Sequence, residues 1–218
     1  NSVLAENENA NDVEGLLRGH IVKGWVRSSD FQDEGLIETV EGSNIRINMF
    51  NTHEFGRVVT ADCNRITSLD NVATNGYLHL IDGAIRPTQK SVMDIVSTDP
   101  QFSIFNAIIQ KVKPEEICDC LVDEDAHVTL FAPTNDAFDK LRPSVLDKLK
   151  AGEKCVSTTL KNHILPYVIC GSIVSGRARV RNILESSLNL TRDENANLLV
   201  NSAPVVQEDI MATNGIVH

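Results

Sequence analysis

No stretch of this chain approaches the ~20 consecutive apolar residues that a membrane-spanning helix needs, so no transmembrane segment is expected within it. Basic residues are short as well. The 20 Lys and Arg stand against 30 Asp and Glu, a formal net charge of −10. Nucleic-acid binders neutralise phosphates with a basic surface, and anionic membranes attract that same sign. Neither partner is expected. Catalytic motifs are missing too: there is no Gly-x-Ser-x-Gly elbow, no His-Glu-x-x-His and no glycine-rich phosphate loop. No catalytic residue and no cofactor are therefore expected. Residues 1–11 are polar and lack the apolar centre of a signal peptide. The chain opens on Asn1 rather than Met and stops at His218 inside an apolar run. The expectation is that both ends are cut from a longer chain.

What is present is enough for a packed core, at 42% hydrophobic over 218 residues. The five cysteines, Cys63, Cys118, Cys120, Cys155 and Cys170, neither prove nor exclude an oxidising compartment. The four in the second half allow two disulfides in three connectivities. Cys118 and Cys120 stand so close in sequence that each is expected to find a more distant partner, leaving Cys63 odd. The Cys-x-Cys pair has no second ligand pair at zinc-like spacing, so no metal is expected.

The chain repeats itself. Leu17-Arg18-Gly19-His20-Ile21-Val22 returns as Leu160-Lys161-Asn162-His163-Ile164-Leu165, an offset of 163 − 20 = 143. Ala73-Thr74-Asn75-Gly76-Tyr77-Leu78-His79 returns as Ala212-Thr213-Asn214-Gly215-Ile216-Val217-His218, an offset of 214 − 75 = 139. Two ordered blocks with nearly equal offsets imply one duplicated unit of domain length. Counting from Ser91, 72 residues precede His163, whereas 19 precede His20. About 53 residues of the first copy are thus expected to be missing from its N-terminal side. The expected domains are 1–90, the C-terminal part of one copy, and 91–218, a second copy short of its last strand.

Periodicity gives an α+β unit. Val92, Ile95 and Val96 predict a short helix, and Phe102, Phe105, Ile108, Ile109 and Val112 a longer one that ends at Pro114. Residues 127–131 predict a buried strand. Further helices are predicted around Leu146 and Leu160, with Gly152 between them. Strands are predicted over 168–173, 177–183, 187–191, 197–201 and 205–210, with Asn75-Gly76 and Asn214-Gly215 as hairpin turns at positive φ. Helices followed by antiparallel strands define the class.

Thr129-Leu130-Phe131-Ala132-Pro133-Thr134-Asn135-Asp136-Ala137-Phe138 resembles the first signature of the fasciclin domain. The Ala-Thr-Asn-Gly blocks at 73–76 and 212–215 resemble the second, and the resemblance covers nearly the whole chain, being nearest to animal matrix proteins of that family. It implies a β-sandwich with helices packed around it, repeated in tandem, here with an N-terminally truncated first copy. It also implies a secreted or cell-surface, extracellular location and non-catalytic adhesion to integrins and collagen-type matrix proteins. A structural spacer and a homophilic cell–cell adhesion domain are the alternatives. Within the first signature, Thr134 or Asn135 is expected to cap the helix that follows, and Phe131 and Phe138 to anchor the core.

Three candidate sites follow. Gln207-Glu208-Asp209-Ile210-Met211 resembles the Glu-Pro-Asp-Ile-Met type of integrin-recognition peptide in this family, with Gln and Glu in place of Glu and Pro. Asp209 is then the carboxylate offered to a receptor-bound cation, with Glu208, Ile210 and Met211 beside it and Asp70 as its first-copy counterpart. On that reading Asp209→Ala weakens attachment without lowering the melting temperature. The alternative makes Ile210 and Met211 strand core and Asp209 a solvated turn carboxylate. Arg177, Arg179 and Arg181 alternate along a predicted strand and so share a face, which is either a glycosaminoglycan contact or a plain solvated face. Asn189-Leu190-Thr191 is the one glycosylation sequon in the chain, marking Asn189 as a glycan site in a secreted glycoprotein. The family's Tyr-His recognition pair is incomplete, because no Tyr precedes His20 or His163. Both are expected on inner helix faces, and His79 and His218 in strands.

Overall fold

The computed structural model describes residues 10–52, 54–86, 88–152 and 155–218. The chain divides into two compact units, Asn1–Gln89 and Lys90–His218.

In the first unit, helix α1 (Ala10–Arg18) precedes β1 (Gly35–Glu38), β2 (Asn44–Thr52), β3 (Gly56–Ala61), β4 (Asn64–Ala73) and β5 (Gly76–Ile81). The strands form one antiparallel sheet in sequence order. Alternation along β2 sends Ile45 and Ile47 to one face, where they pack with Ala61 and Ile85. In the β4–β5 hairpin Ala73 pairs with Gly76, so Thr74 and Asn75 make the turn. Cys63 is disulfide-bonded, contrary to its expected oddness; the free, exposed cysteine is Cys155.

In the second unit the helical half comes first, as the periodicity predicts. It comprises α2 (Val92–Thr98), α3 (Ser103–Val112), α4 (Pro114–Ile117), then β6 (Val128–Leu130), α5 (Asn135–Asp139), α6 (Pro143–Ala151) and α7 (Cys155–Lys161). Ser91 starts α2 with a capping box: Asp94 N donates to Ser91 Oγ at 3.1 Å, and Ser91 N donates to Asp94 Oδ2 at 3.0 Å. Along α3, Phe105, Ile108 and Ile109 recur at helical spacing and are all buried. Burial of each such side chain contributes about 1.5–3 kcal/mol. Pro114 lacks the N–H that α3 needs to continue. Phe131 and Phe138 are buried, as core anchors should be. Thr134 precedes α5 without capping it. Asn135 instead reaches across to α3, where its Oδ1 accepts from Ile104 N at 3.1 Å.

The strand half follows as β7 (Ile164–Leu165), β8 (Arg177–Arg181), β9 (Ser187–Arg192), β10 (Leu198–Val200), β11 (Ala203–Pro204), β12 (Ile210–Ala212) and β13 (Gly215–Val217). Two four-stranded sheets result. One runs β11-β10-β9-β8 and is antiparallel; the other runs β12-β13-β6-β7, with β13 parallel to β6. Phe131, Leu165, Ile169, Val174, Val180, Leu188, Leu190 and Leu198 form one buried cluster, and the helices bury a second against β6 and β13. The fold is α+β, with a mixed sheet and packed helices.

Three expectations change here. The apolar run at 168–173 is not a strand; it crosses the core as irregular chain and closes in a 3-10 turn, Gly171–Ile173. The run at 205–210 enters the sheet only at Ile210. Cys118 and Cys120 are joined to each other. The 3-10 turn Asp119–Leu121 folds the chain so that their Cα atoms lie 5.1 Å apart, inside the usual disulfide range. As a disulfide they offer no thiolate to a metal.

The hairpin turns also differ from expectation. Neither Asn75 nor Asn214 is among the described residues with positive φ. Asn214 is buried and works as a hub: its Oδ1 accepts from Val92 N at 2.9 Å, and its Nδ2 donates to Asp123 O at 3.0 Å. This ties the start of α2 to the hairpin. Gly215 must lack a Cβ because the Val128 carbonyl of β6 occupies that space.

Candidate adhesion surfaces

Asp209 sits at φ 59°, a left-handed conformation that Asp tolerates better than most residues. Its Oδ1 accepts from Gly171 N at 2.8 Å, the first residue of the 3-10 turn. Asp209 N in turn donates to His218 Nδ1 at 3.1 Å. His218 Nε2 lies 2.9 Å from the Ile169 carbonyl, which can only accept. These partners place the ring proton on Nε2. Burial pushes the Asp209 carboxyl above its ordinary range, against the opposing pull of His218 and the Gly171 N–H. Sequence neighbour Glu208 is fully engaged by Arg192, through contacts of 2.5 and 2.7 Å. Arg192 also donates to the carbonyls of Gly171, Val174 and Ala196. Gly171 has no Cβ, and one there would collide with Glu208. Ile210 and Met211 are half-buried in β12, opposite Val217 and Ile216.

The same device recurs in the first unit. Asp70 lies at φ 55°, and its carboxylate accepts from Ser28 N at 2.8 Å and, in a short contact, from Ser28 Oγ. Asp70 N donates to His79 Nδ1 at 3.3 Å, and His79 Nε2 lies 3.1 Å from the Val26 carbonyl. The Ser28 bonds hold the Asp70 carboxyl below its ordinary range. Each aspartate thus anchors a 3-10 turn, Ser28–Asp30 for Asp70 and Gly171–Ile173 for Asp209, and is itself gripped by a histidine nine residues on. That spacing, 79 − 70 = 218 − 209 = 9, is the sequence signal that identifies the pairing. Reading the two histidines as strand residues alone misses it.

His20 and His163 hold helix ends. His163 Nδ1 donates to Thr159 O at 3.0 Å, and burial keeps its imidazole below the ordinary value. His20 Nδ1 donates to Leu16 O at 2.8 Å while its Nε2 accepts from Ile85 N at 2.9 Å. As residues, His20 is exposed and His163 half-buried.

These bonds change what Asp209→Ala should do. Alanine leaves the buried Gly171 N–H without its acceptor and takes up a left-handed conformation poorly. The variant is expected to lose about 1–2 kcal/mol of stability, whereas Asp209→Asn, which keeps the acceptor, stays near the parent. Thermal unfolding of both variants checks this; an unchanged melting temperature for the alanine variant contradicts it.

The arginine row lies on β8. Arg177, Arg179 and Arg181 are exposed, while Val180 between the last two is buried. β8 is an edge strand. Its inner neighbour β9 sets Thr191 opposite Arg177, Asn189 opposite Arg179 and Ser187 opposite Arg181. Arg181 pairs with Glu185 at 3.2 Å. Both Arg177 and Arg179 are without an ion pair among the described residues.

The fasciclin-domain model matches residues 1–87 and 100–218, and the chain belongs to the fasciclin-domain family. Members of this family are non-catalytic adhesion modules. It is 28% identical to human periostin over 216 residues, covering 99% of this chain and 25% of periostin. To the pig transforming growth factor-beta-induced protein ig-h3 it is 27% identical over 217 residues, covering 99% of this chain and 30% of that protein. The chain therefore spans between a quarter and a third of these relatives. The FAS1 domain pair of the insect cell adhesion molecule fasciclin I shares the fold, with a TM-score of 0.55 at 20% identity, covering 100% of this chain and 82% of that one. No helix among the described residues is long and apolar enough to cross a membrane.

Proposed function

We propose that this chain is an extracellular adhesion module, secreted or cell-surface associated, that docks a sulfated glycosaminoglycan of the matrix on the arginine row of β8. The observation that carries the reading is three exposed guanidinium groups on one face of an edge strand, two of them without an ion pair among the described residues. On a chain of net charge −10, a local basic row is a specific feature rather than a general one. The row spans four residue steps, about 13 Å, a length suited to several sulfates of one linear chain.

The two units are read as the C-terminal part of one fasciclin-type domain, 1–90, and a second such domain, 91–218. Support comes from the repeated Asp–His device and from β5. That strand leaves Leu78 and Leu80 exposed, whereas Val217 of β13, between β12 and β6, is buried.

An integrin contact through Glu208, Asp209, Ile210 and Met211, or through Asp70, first requires breaking the bonds that these carboxylates make. Its signature is attachment abolished by EDTA, since the receptor cation is essential to it. A structural spacer supports no attachment, and a homophilic domain self-associates.

Arg177→Ala/Arg179→Ala is expected to abolish retention of the unglycosylated chain on a heparin column at low salt. For three phosphate-like contacts, affinity falls on the order of 20-fold between 50 and 200 mM salt. Retention unaltered by the double substitution removes this surface.

A further inference from the structure

The sequon and the arginine row occupy one face of one sheet. Asn189 and Thr191 are two residues apart on β9 and therefore point the same way, while Leu188 and Leu190 point into the core. The Asn189 backbone is committed: its N donates to Asn201 Oδ1 at 2.9 Å, and its carbonyl accepts from Asn201 N at 2.8 Å. Its exposed side-chain amide has no hydrogen-bond partner among the described residues. Register sets Asn189 directly opposite Arg179, the middle arginine. Directly opposed residues have Cβ atoms about 4.5–5.5 Å apart, and the diagonal neighbours Arg177 and Arg181 lie about 7–8 Å away.

We infer that Asn189 carries an N-linked glycan and that this glycan closes the arginine row, so that glycosylation and polyanion docking exclude one another. The inference rests on the polyanion reading of that row. In the modification, Asn189 Nδ2 attacks the anomeric carbon of a lipid-pyrophosphate-linked oligosaccharide. A C–N bond forms, the anomeric C–O bond to the pyrophosphate breaks, the lipid pyrophosphate leaves and the amide gives up one proton. The attached sugars are bulky and hydrated. Rooted opposite Arg179, they cover the groups that a sulfated chain must approach within hydrogen-bonding distance. They also hold water against the guanidinium groups that docking needs to desolvate. The chain thereby exists in two forms: one bare and adhesive toward sulfated polysaccharide, the other capped and inert toward it. The fraction glycosylated sets how much of the secreted protein can bind matrix through this face.

The test uses the whole chain secreted from a glycosylating host, beside Asn189→Gln and Thr191→Ala made in the same host. Thr191→Ala removes the sequon but keeps Asn189, so it separates loss of the glycan from loss of the side chain. Intact mass reports the modification, and elution from immobilised heparin reports docking, with hyaluronan as the unsulfated control polyanion. The parent chain is expected to carry an added mass that both variants lack, and to pass heparin unretained. Both variants are expected to be retained, with at least tenfold tighter binding to heparin than the parent and none to hyaluronan. Adding Arg177→Ala/Arg179→Ala to Asn189→Gln should abolish the gain. An absence of added mass on the parent overturns the modification. Equal retention of glycosylated parent and Asn189→Gln overturns the exclusion. If both sequon variants stay unretained while the parent carries the added mass, the polyanion reading itself is wrong.

Discussion

Asn214→Ala is expected to lower the melting temperature by roughly 8–12 °C, the equivalent of about 3 kcal/mol for a unit of this size. Asn214 is 1% exposed, and its amide is spent on Val92 N and Asp123 O. Truncation strands a buried donor, Val92 N, at the first turn of α2, while the Asp123 carbonyl keeps its bond from Ala126 N at 3.3 Å. The Val92 N–H loses its acceptor where water enters poorly. The same Ala-Thr-Asn-Gly motif supplies the control. Asn75 is exposed in the first unit, so Asn75→Ala should cost less than about 0.5 kcal/mol. Thermal or urea unfolding of the two variants checks the contrast. Equal, small effects contradict the hub assigned to Asn214.

Asp62→Asn should act in the opposite direction and stabilise. Asp62 is buried, and burial raises its carboxyl from 3.8 to about 6, despite the Arg46 N–H and charge beside it. The folded state then binds more protons than the unfolded one between those values. Stability from this group is accordingly lost as pH rises from about 4 to about 6, and at neutral pH the buried charge costs about 2–3 kcal/mol. Asparagine keeps the oxygen that accepts from Arg46 N at 2.8 Å. The second unit already uses that solution: Asn201, at φ 48° beside 47° for Asp62, accepts from Asn189 N at 2.9 Å. Urea midpoints should rise at pH 7.5 and match the parent at pH 3.5. A lower midpoint at pH 7.5 contradicts the assignment. Asp70 carries the opposite sign: Ser28 holds its carboxyl low, so its contribution is present above the ordinary carboxylate range and lost as pH falls through the folded value.

Much of this fold is legible in the sequence because its cores follow simple periods. Phe105, Ile108 and Ile109 mark α3 by helical spacing, and the alternation through Arg177–Arg181 and Ser187–Thr191 marks β8 and β9 with their exposed faces. The run at 168–173 deceives because Val168, Ile169 and Cys170, buried in irregular chain, look like three residues buried in a strand. Long-range polar pairs leave no such pattern. Nothing in composition ties Arg192 to Glu208 or Asn135 to the start of α3, since those bonds depend on chain segments 16 and 31 residues apart. The Asp–His device was within reach of the sequence, through two equal spacings of nine. For the Asp209 segment, family resemblance draws attention to the carboxylate, whereas the geometry shows what already holds it.

Cell attachment to the immobilised, unglycosylated chain tests the adhesion account most directly, run with and without EDTA and with the Arg177→Ala/Arg179→Ala chain alongside. Attachment through surface glycosaminoglycan should survive EDTA and fall at least tenfold with the two arginines removed. Attachment abolished by EDTA and indifferent to the arginines would contradict this and return the weight to Asp209 and its neighbours.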